Sequence, residues 1–265
     1  MVALLLKMER IKPLQILIQW INLMTHGGQM YIQRVTISGK IMEIQKMHKP
    51  GYHTPINRAS RMSPTPDYMA IINDRRAYKQ LARLINNNFE TNDLFVTLTY
   101  TVDARPGTQK QTKEDSEKFL RDFKRFTNKL GVPAKYVGVS NFNWRGIPHH
   151  HFILDSSLAA NDIQHLWPYG RINIKRLDDS GDYTRLADYL LRHTSNKNNR
   201  VHAKRYLRSR NLAMPVTIED TISPDSWRDP PKAPDGYFLL TDSIVTYVNS
   251  VTGYPYQYYK CIELI

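Results

Sequence analysis

Alternation of apolar and polar positions begins near Tyr31. The runs YIQRVTI and KIMEIQKM, joined at Ser38-Gly39, predict a β-hairpin. A Pro/Gly/Ser-rich stretch over about residues 49–67 predicts a loop. From Asp74 the period lengthens, with Ala77, Leu81 and Leu84 on one helical face, and LFVTLTY (94–100) then predicts a strand. A second helix is marked by Thr112 and Asp115 in capping-box spacing, a stripe of Phe119, Phe123, Phe126 and Leu130, and Gly131 and Pro133 as its stop. KYVGVS (135–140) and HHHFIL (149–154) predict two strands with a tight connection, and residues 183–193 return to helix. The segment SNKNNRVHAKRYLRSR (195–210) is basic and poor in apolar residues, which predicts a surface loop facing a polyanion. The C-terminal run predicts two or three strands with turns near Asp242 and Gly253. With no internal repeat and no linker, the pattern predicts one α+β domain over 30–265, a mainly antiparallel central sheet with flanking helices.

Residues 1–29 stand apart from this pattern. Pro13 interrupts the first helical stretch, and the apolar run after it is too short to span a bilayer, so neither a signal peptide nor a membrane segment is read there. Adjacent Gly27 and Gly28 codons can supply a ribosome-binding sequence ahead of Met30, so the expectation is a natural start at Met30 and a non-core extension before it. Charge narrows the partner. Lys and Arg number 37 against 24 Asp and Glu, a formal net charge of +13, which favours a polyanion over a neutral ligand. Cys261 is the single cysteine, which excludes an internal disulfide and a cysteine-based zinc site and fits a reducing cytoplasm.

Two stretches carry candidate chemistry. In WRGIPHHHFILD (144–155) a strand would place His149 and His151 on one face and His150 on the other, a geometry that suits a metal ion or a hydrogen-bonding pair. In TRLADYLLRH a helical wheel gathers Tyr183, Ala187, Leu190 and Leu191 on the buried face. Tyr189 falls on the other side among Arg185, Arg192 and His193, where it is either an ordinary surface tyrosine or a phenol that meets phosphate.

These motifs in this order resemble the HUH endonuclease superfamily, and within it the rolling-circle replication initiators of bacterial phages, plasmids and integrative elements. LFVTLTY resembles the family's first motif and GIPHHHFIL its His-hydrophobe-His motif, with His150 in the middle slot. YLLRH resembles the tyrosine helix, and SRNLAMP (209–215) a segment that follows it. The resemblance implies a ferredoxin/RRM-like palm, His149 and His151 as ligands of Mg²⁺ or Mn²⁺, and Tyr189 as the nucleophile that nicks single-stranded origin DNA. The expected products are a 5′-phosphotyrosine and a free 3′-OH that primes synthesis with a host helicase and polymerase. Two positions depart from the family pattern. Arg192 replaces the usual Lys three residues after Tyr, and Asn141 stands where a third, commonly acidic ligand is expected.

Candidate DNA contacts are Arg185, His193, Lys197, Arg200, Lys204, Arg205, Arg208 and Arg210 with Trp144 and Arg145 of the histidine hairpin. A relaxase or transposase would use the same residues, although no P-loop GxxxxGK[ST] is present. The rival from another class is a non-catalytic nucleic-acid-binding domain with incidental histidines.

Overall fold

The computed structural model describes residues 31–49, 67–143, 145–194, 197–223, 226–248 and 253–264. The expected extension 1–29, Trp144 and nearly all of the expected 49–67 loop lie outside the described residues. The fold is α+β, with two antiparallel five-stranded sheets. The sequence pattern shows no boundary within 30–265, yet the described residues pack as two compact units, one of 31–37, 41–49 and 216 onward, the other of 38–40 and 67–215.

The first unit carries the sheet β8-β1-β2-β10-β9. The hairpin strands are β1 (Tyr31–Ser38) and β2 (Ile41–His48), and their turn is Gly39-Lys40, one residue later than expected, because Gly39 at φ 60° supplies the left-handed position. β8 (Val216–Ile222) pairs with β1, a strand the pattern reading does not pick out. β9 (Tyr237–Val248) and β10 (Pro255–Glu263) pair in turn, and Val35, Met42, Ile44, Tyr259 and Cys261 form the unit's core. The turn expected near Asp242 is absent. β9 runs through it, the register against β10 shifts between Tyr258 and Lys260, and Ser243 Oγ accepts from the Lys260 amide at 2.7 Å.

The second unit carries the sheet β6-β3-β5-β4-β7, built from β3 (Leu94–Thr99), β4 (Tyr136–Phe142), β5 (Pro148–Leu154), β6 (Ile172–Arg176) and the short β7 (Leu207–Arg208). Strand alternation sorts its two faces. On one, Val137, Val139 and Ile153 pack with Leu81, Leu84 and Ile85 of α1 (Asp67–Asn88) and with Ala187, Leu190 and Leu191 of α4 (Thr184–Arg192). On the other, Leu94, Val96, Leu98, Phe152 and Leu154 pack with Phe119, Leu120 and Phe123 of α2 (Gln109–Lys129). Near the second core lies the short α3 (Ala160–His165), which contributes Ile163.

Helix boundaries differ from the sequence reading at their N-termini. α1 begins at Asp67 rather than Asp74, and Ile71 and Ile72 of its early turns are exposed, so they mark no buried face there. α2 is capped by Thr108, whose side chain accepts from the Gln111 amide, not by Thr112. Thr112 is buried inside the helix, and Asp115 accepts from Tyr100. At the other end Leu130 is the C-cap and 56% exposed, so the buried stripe stops before it. The basic segment 195–210 is also less open than expected. Val201, His202 and Ser209 are buried within it, and Leu207–Arg208 pair with β4.

Gly138 of β4 is the cross-strand partner of Phe152 of β5, and a Cβ there would collide with the Phe152 ring and the His151 carbonyl. Phe152 in turn stacks on Phe119 of α2 at 5.5 Å between centroids. Gly138→Ala is therefore expected to destabilise the second unit by about 1–3 kcal/mol, the usual cost of overpacking a filled core. A melting temperature equal to that of the unaltered protein would contradict this account of the strand contact.

Candidate metal and nucleophile site

β5 is the middle strand of its sheet, hydrogen-bonded to β3 on one side and β4 on the other. Register therefore fixes the neighbours of each histidine. His149 stands between Thr99 and Asn141, His151 between Thr97 and Val139, and His150 between Leu98 and Ser140. As the alternation requires, His149 and His151 share the face covered by α4, and His150 points to the α2 side.

His193, the residue that ends α4, closes the group. The ligand atoms of His149, His151 and His193 all lie within 4.8 Å of one another. Metal–nitrogen bonds run at about 2.0–2.1 Å, so shifts on the order of 1 Å would bring these atoms onto one ion. The other contacts of His149 and His151 leave donor atoms available. His149 Nδ1 faces the Ile147 carbonyl at 3.4 Å, an oxygen that can only accept, so the proton belongs on Nδ1 and the lone pair on Nε2. His151 Nδ1 lies 3.1 Å from Thr97 Oγ1. Asn141, 3% exposed, presents its Nδ2 to His193 Nδ1 at 3.5 Å. Its Oδ1 is buried with no hydrogen-bond partner among the described residues. Three imidazoles and an unspent amide oxygen are a donor set that could bind a divalent cation.

Burial keeps the cluster uncharged. Desolvation, with the neighbouring imidazoles His149 and His193, pushes the His151 pKa down to about 3, and desolvation also lowers His149 and His193. Lone pairs are thus held ready at neutral pH. His150 has a different role. Fully buried, it sits 3.0 Å from Tyr100 Oη and 2.7 Å from Ser140 Oγ. Because Tyr100 donates its proton to Asp115, His150 Nε2–H must donate to Tyr100 and Ser140 must donate to Nδ1.

Tyr189 reaches the cluster from α4. Its Oη is 3.5 Å from His151 Nε2, its ring lies edge-on to His151 and His193 at 5.2 and 4.5 Å, and 41% of it is exposed. Phe95 of β3 supports both partners, stacked on His151 at 5.7 Å and edge-on to Tyr189 at 5.9 Å. The helical face expected to be buried is buried, and Tyr183 is in it, its hydroxyl donating to the Asp178 carbonyl at 2.9 Å. Partial burial raises the Tyr189 pKa, so the resting phenol is protonated. A cleft of about 520 Å³ opens over these groups, lined also by Thr99, Phe142, Pro148, Arg192 and Asn199.

The remaining residues named from the sequence divide into those at the cleft and those away from it. Asn141 is at the cleft, and so is His193, expected among the DNA contacts, which lies with the imidazoles. Arg192 lines the cleft, its side chain 79% exposed and ion-paired with Asp188 at 2.5 Å. Arg145, Arg185, Lys204, Arg208 and Arg210 are exposed. Arg200 donates to the Thr194 carbonyl at 2.5 Å, and Arg205 is ion-paired with Asp74. Lys197 begins a 3₁₀ turn, and its side chain is outside the described residues. Two contributors escaped the sequence reading, Thr97 and Phe95. The signal was present in LFVTLTY, where Phe95, Thr97 and Thr99 alternate on one face of a strand.

Among the described residues, no helix is long and apolar enough to cross a membrane. No curated protein and no solved structure matches the chain. Residues 93–194 do match a family model, that of the replication-associated protein ORF2. That interval holds β3, β4, β5, the three imidazoles and Tyr189, so most of the cleft's lining lies in the part of the chain that is similar to replication-associated proteins.

Proposed function

We propose that the chain is a rolling-circle replication initiator of the HUH type, which nicks single-stranded origin DNA with Tyr189 as nucleophile. The observation that carries this reading is the phenol of Tyr189 poised over His151 in the cleft of His149 and His193, within the replication-associated segment. Tyr189 Oη attacks the scissile phosphorus and the bond to the 3′ oxygen breaks. The phenol gives up its proton, the departing oxygen gains one, and a 5′-phosphotyrosine and a 3′-OH result. The bond energy is retained, so the strand can be rejoined after a host helicase and polymerase have used the primer. A relaxase or transposase would share this chemistry.

The nucleophile has to be activated. An ordinary phenol is ionised to about one part in a thousand at pH 7, equivalent to about 4 kcal/mol, and burial of Tyr189 adds to that. Arg192 shares its charge with Asp188, so its part in this reading is to contact the phosphate. Mg²⁺ or Mn²⁺ held by His149 and His151, with His193 or Asn141 completing the set, would supply positive charge at the scissile phosphate. Arg145, Arg185, Lys204, Arg208 and Arg210 are proposed as contacts along the strand.

The reading is tested with a labelled single-stranded oligonucleotide spanning the element's origin, Mn²⁺ and a denaturing gel. A covalent protein–DNA band is expected, and Tyr189→Phe is expected to abolish it with DNA affinity nearly unchanged. An adduct that persists in this variant would disprove the assignment.

His149→Ala and His151→Ala are each expected to remove Mn²⁺ binding in calorimetry. His150→Ala is expected to keep it while losing about 1–3 kcal/mol of stability, because Ser140 and Tyr100 lose a buried partner. Equal loss of metal in all three would rule out the two-face arrangement.

With about five phosphate contacts to a single strand, the slope of log K against log salt is expected near about −3.5. A slope near zero would remove the strand-contact assignment.

A further inference from the structure

The first motif of the sequence, LFVTLTY, has no part in the chemistry above, yet β3 lies directly beside β5. Thr97 is the cross-strand partner of His151, and Thr97 Oγ1 lies 3.1 Å from His151 Nδ1. The opposite nitrogen, Nε2, is the one that faces Tyr189 across the cleft at 3.5 Å. An imidazole that offers a lone pair has one proton to place. If the proton sat on Nε2, His151 could offer no lone pair to the cleft. If it sits on Nδ1, Thr97 Oγ1 accepts it, and Nε2 is free to bind an ion or to accept from the Tyr189 hydroxyl.

Resting on the metal reading of the cluster, we propose that Thr97 is a positioning residue that holds His151 in the Nδ1–H tautomer and aims Nε2 into the cleft. Two neighbouring contacts support the assignment. Phe95 stacks on the His151 ring at an interplanar angle of 6°, which sets the plane of the imidazole, and the Thr97 hydroxyl can then accept from Nδ1–H when Nε2 offers its lone pair to the cleft. His149, the other cleft-facing imidazole of β5, has the Ile147 carbonyl at its Nδ1, which places its proton away from the cleft in the same way. For His151 the partner at Nδ1 is a hydroxyl one rung across the sheet. Partners of this kind tune ligand affinity by about 10–100-fold.

Nitrogen-15 NMR of the metal-free protein reads the tautomer directly, and Mn²⁺ calorimetry reads its consequence. In the unaltered protein His151 is expected to be protonated on Nδ1. Thr97→Val keeps the branched shape and removes the acceptor, and it is expected to mix the tautomers and weaken Mn²⁺ binding by about 10–100-fold. Thr97→Ser is expected to restore both, which a purely structural role for the residue would not explain. A proton found on Nε2 in the unaltered protein overturns the proposal, and so does a folded Thr97→Val protein that binds Mn²⁺ as tightly as the original. Should Thr97→Val fail to fold, the tautomer of the unaltered protein still decides. If the unaltered protein takes up no Mn²⁺, the metal reading of the cluster falls, and the proposal falls with it as a statement about ligand positioning. The tautomer result then tells whether the Thr97 hydrogen bond itself was assigned correctly.

Discussion

Pairing of β5 between β3 and β4 is the constraint on which the cleft depends. A strand hydrogen-bonded on both sides cannot slip by one residue without exchanging the occupants of its two faces. Here a slip would send His149 and His151 into the core of Phe119, Phe123 and Phe152 and bring His150 and Phe152 to the cleft. The aliphatic rungs Ile153 and Leu154 hold the register, since each meets its own core: Ile153 against α1 and α4, Leu154 against α2. The chemistry at one end of the strand is thus positioned by packing at the other.

Four histidines crowd this region, and each is reconciled with burial by a different partner. His149 uses a carbonyl, His151 a threonine hydroxyl, His193 the Asn141 amide, and His150 a chain of Ser140, Tyr100 and Asp115. Neutral imidazoles so arranged repel one another little, whereas the same cluster protonated would place several positive charges within 5 Å or so of each other. Low basicity is therefore the condition for assembling the cleft as well as for offering lone pairs there.

The tyrosine helix adds a second requirement. α4 has nine residues and could not be stable alone, so its position is set by Ala187, Leu190 and Leu191 in the core shared with α1. That anchoring turns Tyr189 outward beside the imidazoles, and the turn after Arg192 then brings His193 back over β5. Nucleophile and third imidazole thus arrive on one short element, with a rigid contact to the sheet.

Much of this was legible in the chain itself. Alternation in PHHHFIL and the helical wheel of TRLADYLLRH depend on local geometry alone, and they separate His149 and His151 from His150 and Tyr189 from Tyr183 correctly. Other features are not local. That His193 joins the cluster and that Thr97 faces His151 both follow from which segments meet across the fold. The same holds for β9, where Asp242 and Ser243 look like a turn until Lys260 of β10 fixes them as a bulge. Periodicity determines the face on which a side chain lies. Only tertiary pairing decides what that face meets, because the partners are brought together by burial and register at sequence separations over which no local preference acts.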